Sequence, residues 1–185
     1  HKVTEVLTEF IPLSIDQYTG DRSALDAAIL FQDSDGKDSL ISIETKYIDQ
    51  LGKNKAKENA LKLETAINSG LFNSDGIDII SRGCTQIYRN FLLAEKYRII
   101  HGLRDSYSII MAPADHPTTN SEIASLHEKL LPEFQYKIQK YSLEDFIESL
   151  KPGCPVEYKN WLNWFYDRYL NFEKTDHLFK EFTNQ

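Results

Sequence analysis

The stretch from Arg22 to Tyr47 constrains the fold more than any other, because it alternates twice around a polar turn. In residues 24–32, Leu25, Ala27, Ile29 and Phe31 are apolar, and Asp26 stands between the small Ala24 and Ala28. In residues 39–47, Ile41 and Ile43 fall on one side and Ser42, Glu44 and Lys46 on the other. Alternation with period two is strand behaviour. Residues 33–38 between them carry an Asp35-Gly36 turn signal, so the stretch predicts a β-hairpin. Both apolar sets are odd-numbered and share a face only if cross-strand partners sum to an even number. That register sets Asp26 almost opposite Glu44 or Lys46. A slip of one residue would bury the charges and expose the isoleucines, so the register is strongly specified.

The hairpin thus gathers two carboxylates and an amine on one small patch. Carboxylates held close together repel, and a hard divalent cation relieves the repulsion. Mg²⁺ suits such a place because it takes one or two carboxylates and keeps several waters. A cation there can activate water and stabilise charge on a phosphoryl oxygen. An adjacent lysine can orient the nucleophile or offset developing negative charge.

The arrangement of Asp26, a hairpin, then Glu44-Thr45-Lys46 resembles the PD-(D/E)XK nuclease superfamily. The wording of residues 20–29 (GDRSALDAAI) and 43–47 (IETKY) is similar to a bacterial restriction-endonuclease-like subgroup. Residues 86–94 (QIYRNFLLA) resemble a second motif of that subgroup, a Gln-x-x-Arg helix that packs beside the metal site. Weaker similarity reaches Trp161, Phe165 and Arg168-Tyr169-Leu170. The sequence departs from the superfamily's name in having no proline before Asp26. The resemblance implies an α/β fold, with a central mixed sheet flanked by helices on both faces and the site at one sheet edge. It implies hydrolysis of DNA phosphodiester bonds by an endonuclease that uses Mg²⁺ or Mn²⁺. Asp26, Glu44 and the backbone carbonyl of Thr45 would hold the metal, and Lys46 would position the attacking water. Gln86 and Arg89 would support the site and reach the scissile phosphate. Physically, an arginine forks onto phosphate or carboxylate, and a glutamine holds a water or a base edge. The alternative for Arg89 is a plain ion pair with Glu44 or Asp26. An acid on the superfamily's first helix often assists the metal; Glu5 and Glu9 are the candidates here, nothing decides between them, and a plain surface carboxylate is the favoured alternative for each.

The rest of the chain fits one domain spanning residues 1–185, long enough to bury a core. Hydrophobic residues make up 41%, which excludes a disordered chain, and no apolar run is long enough to span a bilayer. Cys84 and Cys154 match no disulfide or metal spacing, and no signal peptide is visible, so a reducing cytoplasm is the expected compartment. The five histidines show no zinc spacing. A net charge of −7 argues against binding nucleic acid through a global field, but leaves room for a local basic strip. Two groups are candidates for one: Lys53, Lys55, Lys57 and Lys62, and Lys96, Arg98 and Arg104. A solvated helix face is the alternative for each. The acidic balance also keeps open a non-cleaving member that binds nucleic acid or a partner protein. DNA is the expected partner, no membrane is, and a homodimer is an allowed assembly.

Along the chain, residues 1–10 read as the end of a helix, with Val3, Val6 and Leu7 inward. Helical spacing of Ala56, Ala60, Leu63 and Ile67 predicts a helix over 54–69 with Gly70 as its C-cap. Residues 71–83 look like a loop. A helix at about 83–99, a buried strand at 107–112, a helix from Ser121 to about Leu131 and a strand at 134–140 follow. Ser142 to Asp145 resembles a capping box before a short helix. Residues 156–172 form a last helix whose aromatics, Trp161 and Trp164 among them, recur at helical spacing. That spacing favours a core helix over a base-stacking surface.

Overall fold

The computed structural model describes residues 1–48 and 59–171. Its organising element is the hairpin of β2 (Leu25–Gln32) and β3 (Asp38–Thr45). In the turn the Asp33 carboxylate accepts the backbone N–H groups of Asp35 and Lys37 at 2.8 and 2.9 Å. Gly36 takes a φ of +71°, which a side chain would resist. Arg104 grips the turn from outside through Asp33 and Asp35, at 2.6 and 2.7 Å. Ala27 pairs with Ile43 and Ile29 with Ile41, so partners sum to an even number.

The first ten residues are a strand rather than a helix end. β1 (Lys2–Phe10) runs antiparallel to β2, with Val6 beside Ile29 and Thr8 beside Ala27. The ladder shifts between Val3 and Glu5, and this bulge breaks the period-two pattern. What remains in the sequence is a spacing of three and four that imitates a helix.

After β3 the chain crosses over through α1 (Ala60–Ser69), α2 (Ser74–Ser81) and α3 (Gln86–His101). It then lays β4 (Asp105–Ala112) parallel to β3, with Ser42 level with Ser108. α4 (Thr119–His127) and a 3-10 turn over Pro132–Lys137 lead to β5 (Ile138–Ser142), which completes a sheet ordered β1-β2-β3-β4-β5. This is the mixed sheet flanked by helices that the resemblance implies. The strand expected at 134–140 starts only at Ile138, because Pro132 opens a 3-10 turn instead. Gly70 ends α1 in the left-handed region, as expected, and the N-terminal part of that predicted helix lies outside the described residues.

α2 corrects the reading of 71–83 as a loop. Its Asn, Ser, Asp and Gly residues are helix-start chemistry: the Asn73 side chain accepts the Gly76 N–H at 2.9 Å and caps the helix. Ile80 then sits in the core with Phe72, Phe91 and Leu126.

The helices settle which face of the hairpin is inside. Leu40, Ser42 and Glu44 are buried, whereas Ile41 and Ile43 are only partly so. The expectation that the isoleucines take the more buried side is therefore reversed. α3 packs Leu93, Ala94 and Tyr97 onto Ala28 and Leu40, and the small Ala28 admits the helix closely. The same packing brings Glu44 beneath α3.

The described residues form two compact units: His1–Ala112 with His116–Lys140, and Pro113–Asp115 with the chain from Tyr141 on. In the second unit Ser142 caps α5 (Leu143–Leu150), accepting the Asp145 N–H at 3.0 Å. α6 (Val156–Tyr169) buries Leu162, which joins Ile147 and Leu170 in a small core. Trp161 and Trp164 are each 50% exposed, so these two aromatics of α6 stand outside the core that their spacing suggests. Among the described residues no helix is long and apolar enough to cross a membrane.

Candidate active site

Asp26, Glu44, Thr45 and Lys46 come together where β2 begins and β3 ends. Asp26 Oδ2 accepts both the backbone N–H and the hydroxyl of Thr45, each at 2.7 Å. That pair of bonds fixes Asp26 against the last residue of β3. The Lys46 N–H donates to the Met111 carbonyl at 2.8 Å, which carries the β3–β4 pairing one residue past the strand. Lys46 is therefore held on an ordered backbone. Its ammonium reaches back to Glu44 Oε1 at 2.8 Å.

Glu44 is only 5% exposed and is surrounded by donors. Gln86 Nε2 donates to Oε1 at 2.6 Å, and Asn90 Nδ2 donates to Oε2 at 2.7 Å. Burial pushes the Glu44 carboxyl above its ordinary range; the Lys46 bond opposes the rise and the Asp26 charge adds to it. The net direction is upward, and burial is its main cause.

The amides arrive from α3. Ile87, Tyr88, Phe91, Leu92 and Leu93 surround that helix with apolar side chains, as befits a helix buried on most sides. Gln86 and Asn90 are four residues apart and so share one face. Asn90 did not emerge from the sequence reading, although it lies in the segment quoted for the Gln-x-x-Arg motif. The signal was present: an asparagine within an apolar helix, one turn from Gln86, needs a polar partner when buried. Arg89 points elsewhere. It is partly buried and its Nη1 donates to the Cys84 carbonyl at 3.2 Å. Neither Asp26 nor Glu44 takes a bond from it among the described residues, so the plain ion pair is not formed.

Of the two acids on β1, Glu5 pairs with Leu30. Glu9 lies between the Thr8–Ala27 and Phe10–Leu25 pairs, level with Asp26, and has a φ of 51°. Both are exposed and sit on a strand, not on a first helix. Among the described residues no three His, Cys, Asp or Glu side chains gather as a metal set. The donor chemistry of Asp26 and Glu44, two hard carboxylate oxygens, is of the kind that divalent cations such as Mg²⁺ take.

The basic groups do not form a strip among the described residues. Lys62 is 1% exposed and pairs with Asp21 at 2.6 Å. Burial pushes the Asp21 carboxyl up, but bonds from Lys62 and Ser23 outweigh it and hold it below the usual range. Lys96 faces Glu64 at 3.7 Å, Arg98 binds Glu95 at 2.8 Å, and Arg104 is spent on the hairpin turn. Lys53, Lys55 and Lys57 lie outside the described residues. Arg22 is exposed.

Neither the comparison with curated proteins nor that with solved structures finds a significant match. The family comparison does: a family model of the PD-(D/E)XK nuclease superfamily matches residues 1–171, and the chain belongs to that superfamily.

Proposed function

We propose that the chain is a Mg²⁺- or Mn²⁺-dependent endonuclease that hydrolyses DNA phosphodiester bonds. The observation that carries this reading is the charge imbalance at the hairpin end. Asp26 and Glu44 lie close enough for one charge to act on the other, and Lys46 is the one cation bonded there among the described residues. Asp26, Glu44 and the Thr45 carbonyl would hold the metal. When bound, such a cation activates water and stabilises charge on a phosphoryl oxygen.

The chain's own residues supply the rest. Lys46 carries three N–H donors and gives one to Glu44, which leaves two for a water or a phosphate oxygen. Gln86 keeps Glu44 Oε1 in place. Arg89, held at the Cys84 carbonyl, would have to turn from that anchor to reach the scissile phosphate. Among the described residues neither Cys84 nor Cys154 is in a disulfide, which supports a cytoplasmic setting.

A second reading is a non-cleaving member that binds nucleic acid or a partner protein, and the net charge of −7 favours its partner-protein form. Incubation of supercoiled plasmid with Mg²⁺, Mn²⁺ or chelator separates the two. Nicked or linear product with either metal and none in chelator is expected. Gel-shift binding with no product in either metal would leave only the second reading.

A further inference from the structure

We infer that Asn90 is a positioning residue that aims one oxygen of Glu44 at the divalent cation. The inference rests on reading Asp26 and Glu44 as the metal-holding pair. An ionised carboxylate has about four acceptor positions, two on each oxygen. At Glu44 the two on Oε1 are taken by Gln86 and Lys46, at 2.6 and 2.8 Å. Oε2 receives a single donor, Asn90 Nδ2, at 2.7 Å. Oε2 is thus the oxygen with a lone pair to spare, and Asn90 determines where that lone pair points. Without Asn90 the carboxylate is tied at one oxygen only and is free to turn about that anchor.

The setting of Asn90 excludes a casual contact. It is 7% exposed and follows Ile87 and Tyr88 and precedes Phe91, Leu92 and Leu93, all buried. Asparagine is a poorer helix former than leucine, and its amide demands a partner when buried. Among the described residues the one hydrogen bond of its side chain is the bond to Glu44. A leucine would suit both the helix and the surrounding core. What the asparagine adds is one N–H aimed at a carboxylate oxygen 46 positions away in the chain.

The test is Mn²⁺ binding by electron paramagnetic resonance, beside plasmid cleavage as a function of Mg²⁺. Asn90→Leu is expected to weaken Mn²⁺ binding about tenfold or more and to raise the half-activating Mg²⁺ by a similar factor, with KM for DNA unchanged. Asn90→Gln keeps an amide N–H within reach and should recover most of the loss. If Asn90→Leu does not fold, Asn90→Ser, whose hydroxyl is too short to reach Oε2, is expected to show the same weakening. A merely structural asparagine predicts a lower melting temperature with wild-type Mn²⁺ affinity, and that result overturns the inference. Mn²⁺ binding without cleavage by the wild type overturns the nuclease reading but leaves the affinity comparison to decide on Asn90. No Mn²⁺ binding by the wild type overturns both.

Discussion

Two buried carboxylates, Glu44 and Glu95, lie at opposite ends of the β3–β4 pair, and they are equipped differently. Glu44 lies where β3 ends beside Met111 of β4, and Glu95 serves the opposite end of that parallel pair, near Asp105 and Ser106. α3 spans both, offering Gln86 and Asn90 to the first and contributing Glu95 itself to the second. Glu95 is fully buried and meets two cations, Arg98 at 2.8 Å and Lys137 at 3.4 Å, besides the Ser106 hydroxyl. Lys137 also binds Asp105 and the Ser106 carbonyl, the latter at 3.2 Å. Glu44 has one cation, two neutral amides and a second carboxylate nearby. A buried charge persists when its surroundings compensate it. The Glu95 end is compensated from within the chain, and the Glu44 end is left with a demand for positive charge. The two ends differ in local charge count rather than in their place in the sheet.

The sharpest break between the two ends is expected at Lys46. Lys46→Ala should lower cleavage by roughly 10²–10⁴-fold, the usual worth of a positioned proton-handling group, while Mn²⁺ binding persists. Lys46→Arg should also be poor, since a planar fork does not replace a compact ammonium. Cleavage assays beside metal binding measure both, and full activity in Lys46→Ala would remove this lysine from the mechanism.

The next effect belongs to the other end. Lys137→Met leaves Glu95 and Asp105 without their shared cation and should cost about 3 kcal/mol in denaturant unfolding. The stabilisation by Mg²⁺ should not change. A loss of Mg²⁺ response in this variant would mean that the two ends are coupled.

Smaller still is Asp26→Asn. Asn can keep an oxygen for the two Thr45 donors while removing the charge that opposes Glu44. Stability in chelator should be unchanged or higher, and the stabilisation gained on adding Mg²⁺ should shrink. Thermal melting in chelator and in a Mg²⁺ series measures both. Were Asp26 only a hydrogen-bond acceptor of the scaffold, Asn would cost about 1–3 kcal/mol with no dependence on metal.

The finest test is pH. Glu44 titrates above the ordinary carboxylate range, so its contribution favours the fold below that range and is lost as pH rises through its own higher pKa. Removing the Asp26 charge lowers the folded pKa and narrows that window. Side-chain ¹³C titration in chelator should show Glu44 moving down in Asp26→Asn, and unfolding at a series of pH values should show a smaller loss across the window. An unmoved Glu44 resonance would mean that the two carboxylates do not interact.

The hairpin and its Glu-x-Lys were legible because alternation, an Asp-Gly turn and equal arm lengths agree on one register. Which face would be buried was not, since that depends on α3 finding Ala28 and Leu40, a contact between distant segments. β1 was misread because its bulge erases the strand period. α2 was misread because capping residues and loop residues are the same residues. The aromatics of α6 recur at helical spacing whether or not anything covers them, and periodicity cannot report that Trp161 stays half exposed. Asn90 signals in the sequence only that it needs a polar partner; that the partner is Glu44, far away in the chain, depends on the tertiary fold.

The parallel pairing of β3 with β4 also bears on the order in which the molecule folds. Asp26 and Thr45 are 19 positions apart and meet within a hairpin, whereas Ser42 and Ser108 are 66 apart and meet only after the whole crossover has formed. Local pairings form early, and parallel pairings pay the loop-closure entropy first. The two carboxylates therefore approach one another before α3 arrives, so the nascent hairpin carries their repulsion before Gln86 and Asn90 bring their amides to Glu44. Folding φ-values should be high at Ile29 in the hairpin and low at Ile110 in β4, and the reverse order would place nucleation in the crossover instead.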